Sequence, residues 1–298
     1  METTMPISRR QFCAVVGAVA LATAKAEIFV GDEQQKTLRV IAYNVFACTG
    51  WPNNRTQAKN SVAKGQMAQR LAMELALYEP DIINFSESPS DALVKKIAEL
   101  LGMNAVRFPS GGNWPGTLLS RFKIIESQDV PLGGKRPKKL FTRHWGRGTM
   151  TLPNGEPLIV HSAHLYPTAD PTTRLREIEA MLASMKADLN AGRSMLLMGD
   201  LNHSPDTKEY KLWMDAGWVD TFAGVGKGKG PTIRADIPKW RIDYVMAAGA
   251  IADHVIESRP LFEGAFRLNI ADKESFALSD HLPQLAVFNA GRFNDDRQ

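Results

Sequence analysis

Ser194–Asn202 reads SMLLMGDLN. Four consecutive apolar residues after Ser194 are too few for a helix and predict a short buried strand, Ser194–Gly199, that closes on Asp200, Leu201 and Asn202. Asp200 and Asn202 are two residues apart, so a strand continuing through them would turn both to one side. The pattern recurs outward from there. Leu38–Phe46 (LRVIAYNVF), Asp81–Glu87 (DIINFSE) and Pro157–Leu165 read as strands, and Arg241–Ala247, Ile251–Ser258 and Leu285–Phe288 follow downstream. Thr117–Ser120 and Lys123–Ser127 predict a pair of short strands. Helices are expected at Val62–Tyr78, Asp91–Leu101, Thr172–Asn190 and near Asp206–Ala216. The third of these carries Leu175, Ile178, Leu182, Met185 and Leu189 along one stripe. Strands outnumber helices, so a doubly wound sheet fits poorly. The expected class is α/β, with two packed β-sheets and helices outside. No repeat or linker divides the chain, and one domain is expected over residues 37–290.

The chain has 298 residues, 44% of them hydrophobic and 23% charged, with a formal charge of +4. That composition excludes disordered, collagen-like and membrane-embedded classes. Residues 1–26 hold Arg9, Arg10 and Lys25 against Glu2, so half of the net charge belongs to that segment. The remainder creates no global field that selects a polyanion. Ser8-Arg9-Arg10-Gln11-Phe12 opens an apolar stretch that runs to Ala24 and ends Ala24-Lys25-Ala26. It is too short to span a bilayer, which needs about 20 residues. It reads as an export signal of the twin-arginine type, so a periplasmic or extracellular location is expected. Cys13 falls inside it, and its removal would leave Cys48 without an internal disulfide partner.

Polar residues gather where the apolar runs end: Asn44, Glu87, His161 and His164, Asp200 and Asn202, Asp243, Asp280 and His281. Scaffolds present catalytic groups at such places. Taken singly, each has a bland explanation as a turn former or a solvated carboxylate; their joint recurrence does not. His161 and His164 are three apart and face opposite sides of an extended chain. His164, at the strand's end, is the site candidate, and His161 is expected to be a packed or surface residue. The spacing also weakens a two-histidine zinc site. An EF-hand reading of Asp200, Asn202, Ser204 and Asp206 fails, because Pro205 replaces the turn glycine and Lys211 the closing glutamate.

In chain order, Tyr43-Asn44-Val45, Phe85-Ser86-Glu87, Leu119-Ser120-Arg121, Ser162-Ala163-His164-Leu165, Gly199-Asp200-Leu201-Asn202, Arg241-Ile242-Asp243-Tyr244 and Ser279-Asp280-His281 resemble the endonuclease/exonuclease/phosphatase superfamily. This is the deoxyribonuclease I-like group of divalent-metal phosphoesterases, and the resemblance runs from about Leu38 to Phe288. It implies a four-layer α/β sandwich of two mixed β-sheets flanked by helices. It also implies that Glu87 holds Mg²⁺ or Mn²⁺ with Asn44 and Asp280 nearby, hard oxygen ligands that suit such ions. His281 would be the general base on water, or a phosphate-oxygen donor when protonated, with Asp243 orienting its ring. Asp200 would align or help deprotonate the water, and Asn202 and His164 would hydrogen-bond the phosphorus centre as charge builds. Ser86 stands where the family usually has Gln, and Ser162-Ala163 where it has Asn-Thr. The abasic-site endonuclease branch usually has tyrosine at the position of His164, so the resemblance points away from DNA repair.

Substrate choice lies in loops. Residues 135–147 (KRPKKLFTRHWGR) hold six Lys/Arg and no acid, with Phe141 and Trp145 interleaved. The segment reads either as a nucleic-acid or anionic-lipid track or as a solvated loop. Residues 224–230 (GVGKGKG) form a basic loop that lacks the P-loop pattern. Trp114 sits in a Gly-rich loop, packed or reaching for a base, a sugar or a membrane surface. The expected function is metal-dependent hydrolysis of a phosphodiester, as in an exported nuclease, by a monomer with no stable protein partner. The alternatives are a sphingomyelinase-like phospholipid phosphodiesterase, a small-molecule phosphatase, and an inactive binding protein on the same fold.

Overall fold

The computed structural model describes residues 37–133 and 136–290; the export segment expected at residues 1–26 lies outside them. The strands, in chain order, are β1 (Thr37–Asn44), β2 (Ile82–Ser86), β3 (Asn104–Phe108), β4 (Gly116–Ser120), β5 (Ile124–Asp129), β6 (His144–Thr151), β7 (Pro157–His164), β8 (Met195–Asp200), β9 (Val219–Asp220), β10 (Asp243–Ala248), β11 (Val255–Pro260) and β12 (Gln284–Asn289). They form two six-stranded sheets, ordered β11-β12-β1-β2-β4-β3 and β5-β6-β7-β8-β10-β9. Both are mixed: β1 runs parallel to β2 and β7 parallel to β8, and the other pairs are antiparallel. The helices are α1 (Thr56–Ala63), α2 (Met67–Ala76), α3 (Asp91–Leu101), α4 (Thr172–Asn190), α5 (Lys208–Asp215) and α6 (Thr221–Val225).

Side-chain parity explains the layering. Alternate residues of the central strands, such as Val40, Ile82, Val160, Met198 and Val245, fill the space between the sheets. The residues between them face outward. Ile41, Ile83 and Phe85 meet α2 and α3 through Leu71 and Ile97. Ile159, Leu197 and Met246 meet α4 and α5 through Ile178, Met181 and Trp213. Strands covered on both faces read as continuous apolar runs, which is what SMLLM displays. Each such fully buried side chain contributes about 1.5–3 kcal/mol. The result is a helix–sheet–sheet–helix sandwich, the architecture expected from the sequence.

Four local readings are corrected. The single helix expected over Val62–Tyr78 is two, α1 and α2. Gly65 takes a left-handed φ of +63°, and Gln66 N closes the turn onto Ser61 O at 2.9 Å. The strands near Thr117 and Lys123 do not pair; β4 belongs to the first sheet and β5 to the second. Between α3 and β4 lies a strand, β3, that periodicity did not reveal because most of its residues are exposed or half-buried. Residues Ala250–His254 form a 3-10 helix, so β11 begins only at Val255.

Candidate active site

The parity that builds the inter-sheet core also builds the site. Along β1 the inward residues are Leu38, Val40, Ala42 and then Asn44; along β7, Leu158, Val160, Ser162 and His164; along β8, Leu196, Met198 and Asp200. Asp243 opens β10 and pairs in register with Asp200, which pairs with His164, which pairs with His144. In the first sheet Asn44 pairs with Ser86. At one end of the sandwich the apolar filling therefore gives way to a polar row. Gly199 and Gly116 allow this close packing. Gly199 has a φ of +145° and lies against Ala163 O, and a Cβ on Gly116 would run into the His144 ring.

His281 stands at the centre. Its Nδ1 lies 2.8 Å from Asp243 Oδ2, and its Nε2 lies 3.8 Å from Asp200 Oδ2. Asn44 Nδ2 donates to Asp200 Oδ2 at 3.1 Å and sits 3.5 Å from His281 Nε2, so one amide bridges the two sheets. His164 Nε2 is 3.6 Å from the same Asp200 oxygen. His161 faces the other way and accepts from Trp145 Nε1 at 3.3 Å in the helix-side core. The strand does not continue through Asn202. That residue has a φ of +52°, its backbone N–H donates to Asp200 Oδ1 at 3.0 Å, and its Nδ2 donates to Leu165 O at 3.0 Å. Asn202 thus ties the ends of β7 and β8 together instead of aligning with Asp200.

Three residues to which the sequence reading gave no role in the site complete the frame. Thr232 Oγ1 donates to Asp243 Oδ2 at 2.7 Å and accepts the Asp243 N–H at 3.2 Å. Ser279 Oγ donates to Asn44 O at 2.7 Å and accepts the His281 N–H at 3.2 Å. Ser86 Oγ accepts the Asp200 N–H at 3.4 Å. Ser86 could have been found by parity, since it continues the row Ile82, Asn84. Thr232 lies in an irregular loop and carried no signal.

The electrostatics follow from burial and neighbours. Burial, the largest single influence on His281, lowers its pKa, but Asp243, Asp200 and Asp280 together outweigh it and raise it to about 10. Burial, and then Asp243, raises Asp200 to about 7. Burial holds His164 well below the usual histidine value, with His144, Arg143 and His281 adding to it, so its imidazole is neutral. Glu87 follows β2 at a φ of +49°; burial raises its pKa, Asp280 pushes the same way, and Asn44, His281 and Arg143 oppose.

Two oxygen-bearing sets could hold a cation. Asp200, Asp243 and His281 offer ligand atoms within 4.8 Å of one another. Those atoms are already engaged with each other, with Thr232 and with Asn44. Glu87, with Asn44 and Asp280 beside it, is a half-buried carboxylate whose burial penalty a divalent ion would relieve. The carboxylate oxygens of Glu87 and Asp280 are hard donors of the kind that suits Mg²⁺ or Mn²⁺.

The basic segment differs from its sequence reading. Phe141 and Trp145 are fully buried and pack on each other at 4.9 Å between ring centroids, so no base or lipid can stack on them. Trp145 is buried because β6 is an inner strand, flanked by β5 and β7, and Phe141, three residues before that strand, packs into the same core. Arg136 pairs with Asp129 at 3.1 Å and Arg147 with Asp188 at 3.7 Å, which leaves Lys138 and Lys139 exposed.

A model of the endonuclease/exonuclease/phosphatase family matches residues 41–281. No curated protein matches the chain by sequence. Among solved structures, a family protein from Bacteroides thetaiotaomicron superimposes with a TM-score of 0.67 at 16% identity, covering 84% of this chain and 97% of that one. A mannosyl-6-phosphatase from the same organism gives 0.67 at 17% identity, covering 84% and 98%. Truncated TDP2 from Caenorhabditis elegans gives 0.63 at 16% identity, covering 85% and 98%. At these identities the structures share the fold.

Proposed function

The chain belongs to the endonuclease/exonuclease/phosphatase family of phosphoester hydrolases, and from that membership we propose that it hydrolyses a phosphoester by attack of water in the cleft lined by Asn44, Glu87, His164, Asp200, Asp243 and His281. The observation that carries this reading is the line Asp243–His281–Asp200, with His281 Nδ1 at 2.8 Å from Asp243 and Nε2 turned towards Asp200 and Asn44. Glu87, with Asn44 and Asp280, would hold a divalent ion that supplies Lewis-acid polarisation of the phosphoryl group. Asp243 fixes the ring and takes its Nδ1 proton in a hydrogen bond, which leaves Nε2–H to donate to a phosphate oxygen. Of the two roles the sequence offered for His281, this donor role fits an imidazole between two carboxylates. Asp200, held by Asn44 and Asn202, then orients the water and takes its proton. His164, neutral and buried, supplies a further hydrogen bond to the phosphate. Asn202 keeps Asp200 in place, a positioning role in exchange for the direct contact first expected of it.

The export reading of residues 1–26 belongs to the same proposal, as does the monomeric state. The test is phosphate release or strand cleavage by the mature chain on plasmid DNA, phosphocholine vesicles and a nitrophenyl phosphate, with chelator and with D200N and H281A. Turnover of any one of them that is lost with chelator and in both variants supports the reading. Turnover that survives in both variants places the chemistry elsewhere.

A further inference from the structure

The chemistry above leaves Arg143 without a task. It immediately precedes β6, and its guanidinium carbon lies 5.0 Å from the centroid of the half-buried Trp114 ring. Among the described residues its side chain makes no hydrogen bond and no ion pair, and its Nε is buried without a partner. Arg136 and Arg147, in the same segment, are committed to Asp129 and Asp188. A guanidinium carries five donors, and desolvating it without an anion is costly. Such a group is matched by a ligand that brings the anion.

Its placement is held from both sides. Ser110 Oγ donates to Thr142 O at 2.9 Å and accepts the Trp114 N–H at 3.1 Å, so the loop carrying the ring is tied to the segment carrying the arginine. Ser88 N donates to Pro115 O at 2.9 Å, which ties that loop to the residue after Glu87. Arg143 thus lies within electrostatic reach of Glu87, Asp200, Tyr166 and Glu177, and among the described residues it forms an ion pair with none of them. Glu87 and Asp280 would be matched by the divalent ion, and Asp200 and Asp243 are engaged with His281. A fixed cation attracts a dianion more strongly than a monoanion, so Arg143 favours the doubly charged phosphate.

We propose that Arg143, held over the Trp114 ring, is the specificity-determining cation of the site and selects a phosphomonoester over a phosphodiester. This rests on the phosphoester-hydrolase reading above. A terminal phosphate carries a second charge and an additional non-bridging oxygen, and the planar guanidinium grips oxygens in pairs. The reading replaces a long polyanion track with a small, singly phosphorylated substrate, in keeping with a basic segment whose aromatics are core residues.

The test compares p-nitrophenyl phosphate with methyl p-nitrophenyl phosphate, which share a leaving group and differ by one charge. The full chain with Mg²⁺ or Mn²⁺ is expected to favour the monoester. R143Q should lose about 10- to 100-fold in kcat/KM on the monoester and less than about 3-fold on the diester, with R143K recovering part of the loss. Wild-type KM for the monoester should fall as pH rises through the phosphate's second pKa, near 6, and R143Q should flatten that profile. Binding of inorganic phosphate, measured by calorimetry, needs no turnover and should weaken by the same factor. W114L, which keeps the charge but removes its platform, should raise the monoester KM if R143Q proves unstable. Equal losses on both esters, a wild-type preference for the diester, or unchanged phosphate affinity in R143Q would overturn the proposal. Failure of the underlying reading looks different: H281A would then leave both rates intact.

Discussion

His281 and Asp243 are 38 residues apart in sequence and 2.8 Å apart in space, and a third residue, Thr232, completes their arrangement by donating to the same Asp243 oxygen. Replacing Thr232 with Val removes that donor and leaves a buried carboxylate short of one hydrogen bond. The expected result is a stability loss of about 1–3 kcal/mol in urea titrations, with a fall in kcat and little change in KM. Asp243→Asn should lower kcat by about two to four orders of magnitude while the fold is retained, checked by an unchanged far-UV spectrum. Asp243 and His281 were legible in the sequence because each borders an apolar run, where a charged residue stands out. Thr232 and Arg143 were not. They lie in segments of Gly, Pro and basic residues with no periodicity, and only the folded chain shows what each one faces. Asn202 was legible as a site residue, but its left-handed backbone, which turns it onto Leu165 O, was not.

A strand here does two jobs by parity, and β7 shows both. Its inward residues end in His164, and the outward His161 is buried against Trp145. Burial first, and then Arg147, lowers the pKa of His161 from 6.5 to about 3. The unfolded chain therefore takes up the proton first as pH falls. The contribution of His161 to stability is complete above about pH 6.5 and is lost as pH drops towards 3. His161→Phe should make stability between pH 6 and pH 4 less steep by about 1.4 kcal/mol per pH unit, read from urea midpoints. An unchanged slope would mean that His161 is protonated in the fold. Gly116 is the matching case in β4: Gly116→Ala drives a methyl into the His144 ring and should cost about 1–3 kcal/mol. The alternation that set these faces was visible in the sequence. The break between α1 and α2 was missed because the helix read from Met67, Leu71, Leu75 and Tyr78 was carried back to Val62 across Gly65, whose left-handed turn no periodicity reports.

At the scale of the molecule, two mixed sheets bring polar row ends from both halves of the chain to one end of a sandwich. Asn44 on the first sheet reaches Asp200 on the second. The strand-rich pattern was enough to infer packed sheets. The order of the strands, with β1 central and β11 and β12 returning beside it, depends on pairings between distant segments and could not be read from local sequence. The reading of residues 1–26 predicts that R9K/R10K leaves the protein unexported, measured by cell fractionation; unchanged export would remove the twin-arginine assignment. Under the proposed function Glu87 holds a divalent ion for chemistry carried out by His281 and Asp200. This is tested most directly by a Mg²⁺ titration of phosphate release for wild type, E87Q and H281A after chelation. Wild type should be silent in chelator and recover with Mg²⁺, E87Q should need about 10-fold or more Mg²⁺ to recover, and H281A should keep the wild-type metal dependence at a far lower rate. Full activity in chelator, or an E87Q curve that overlays the wild type, would contradict it.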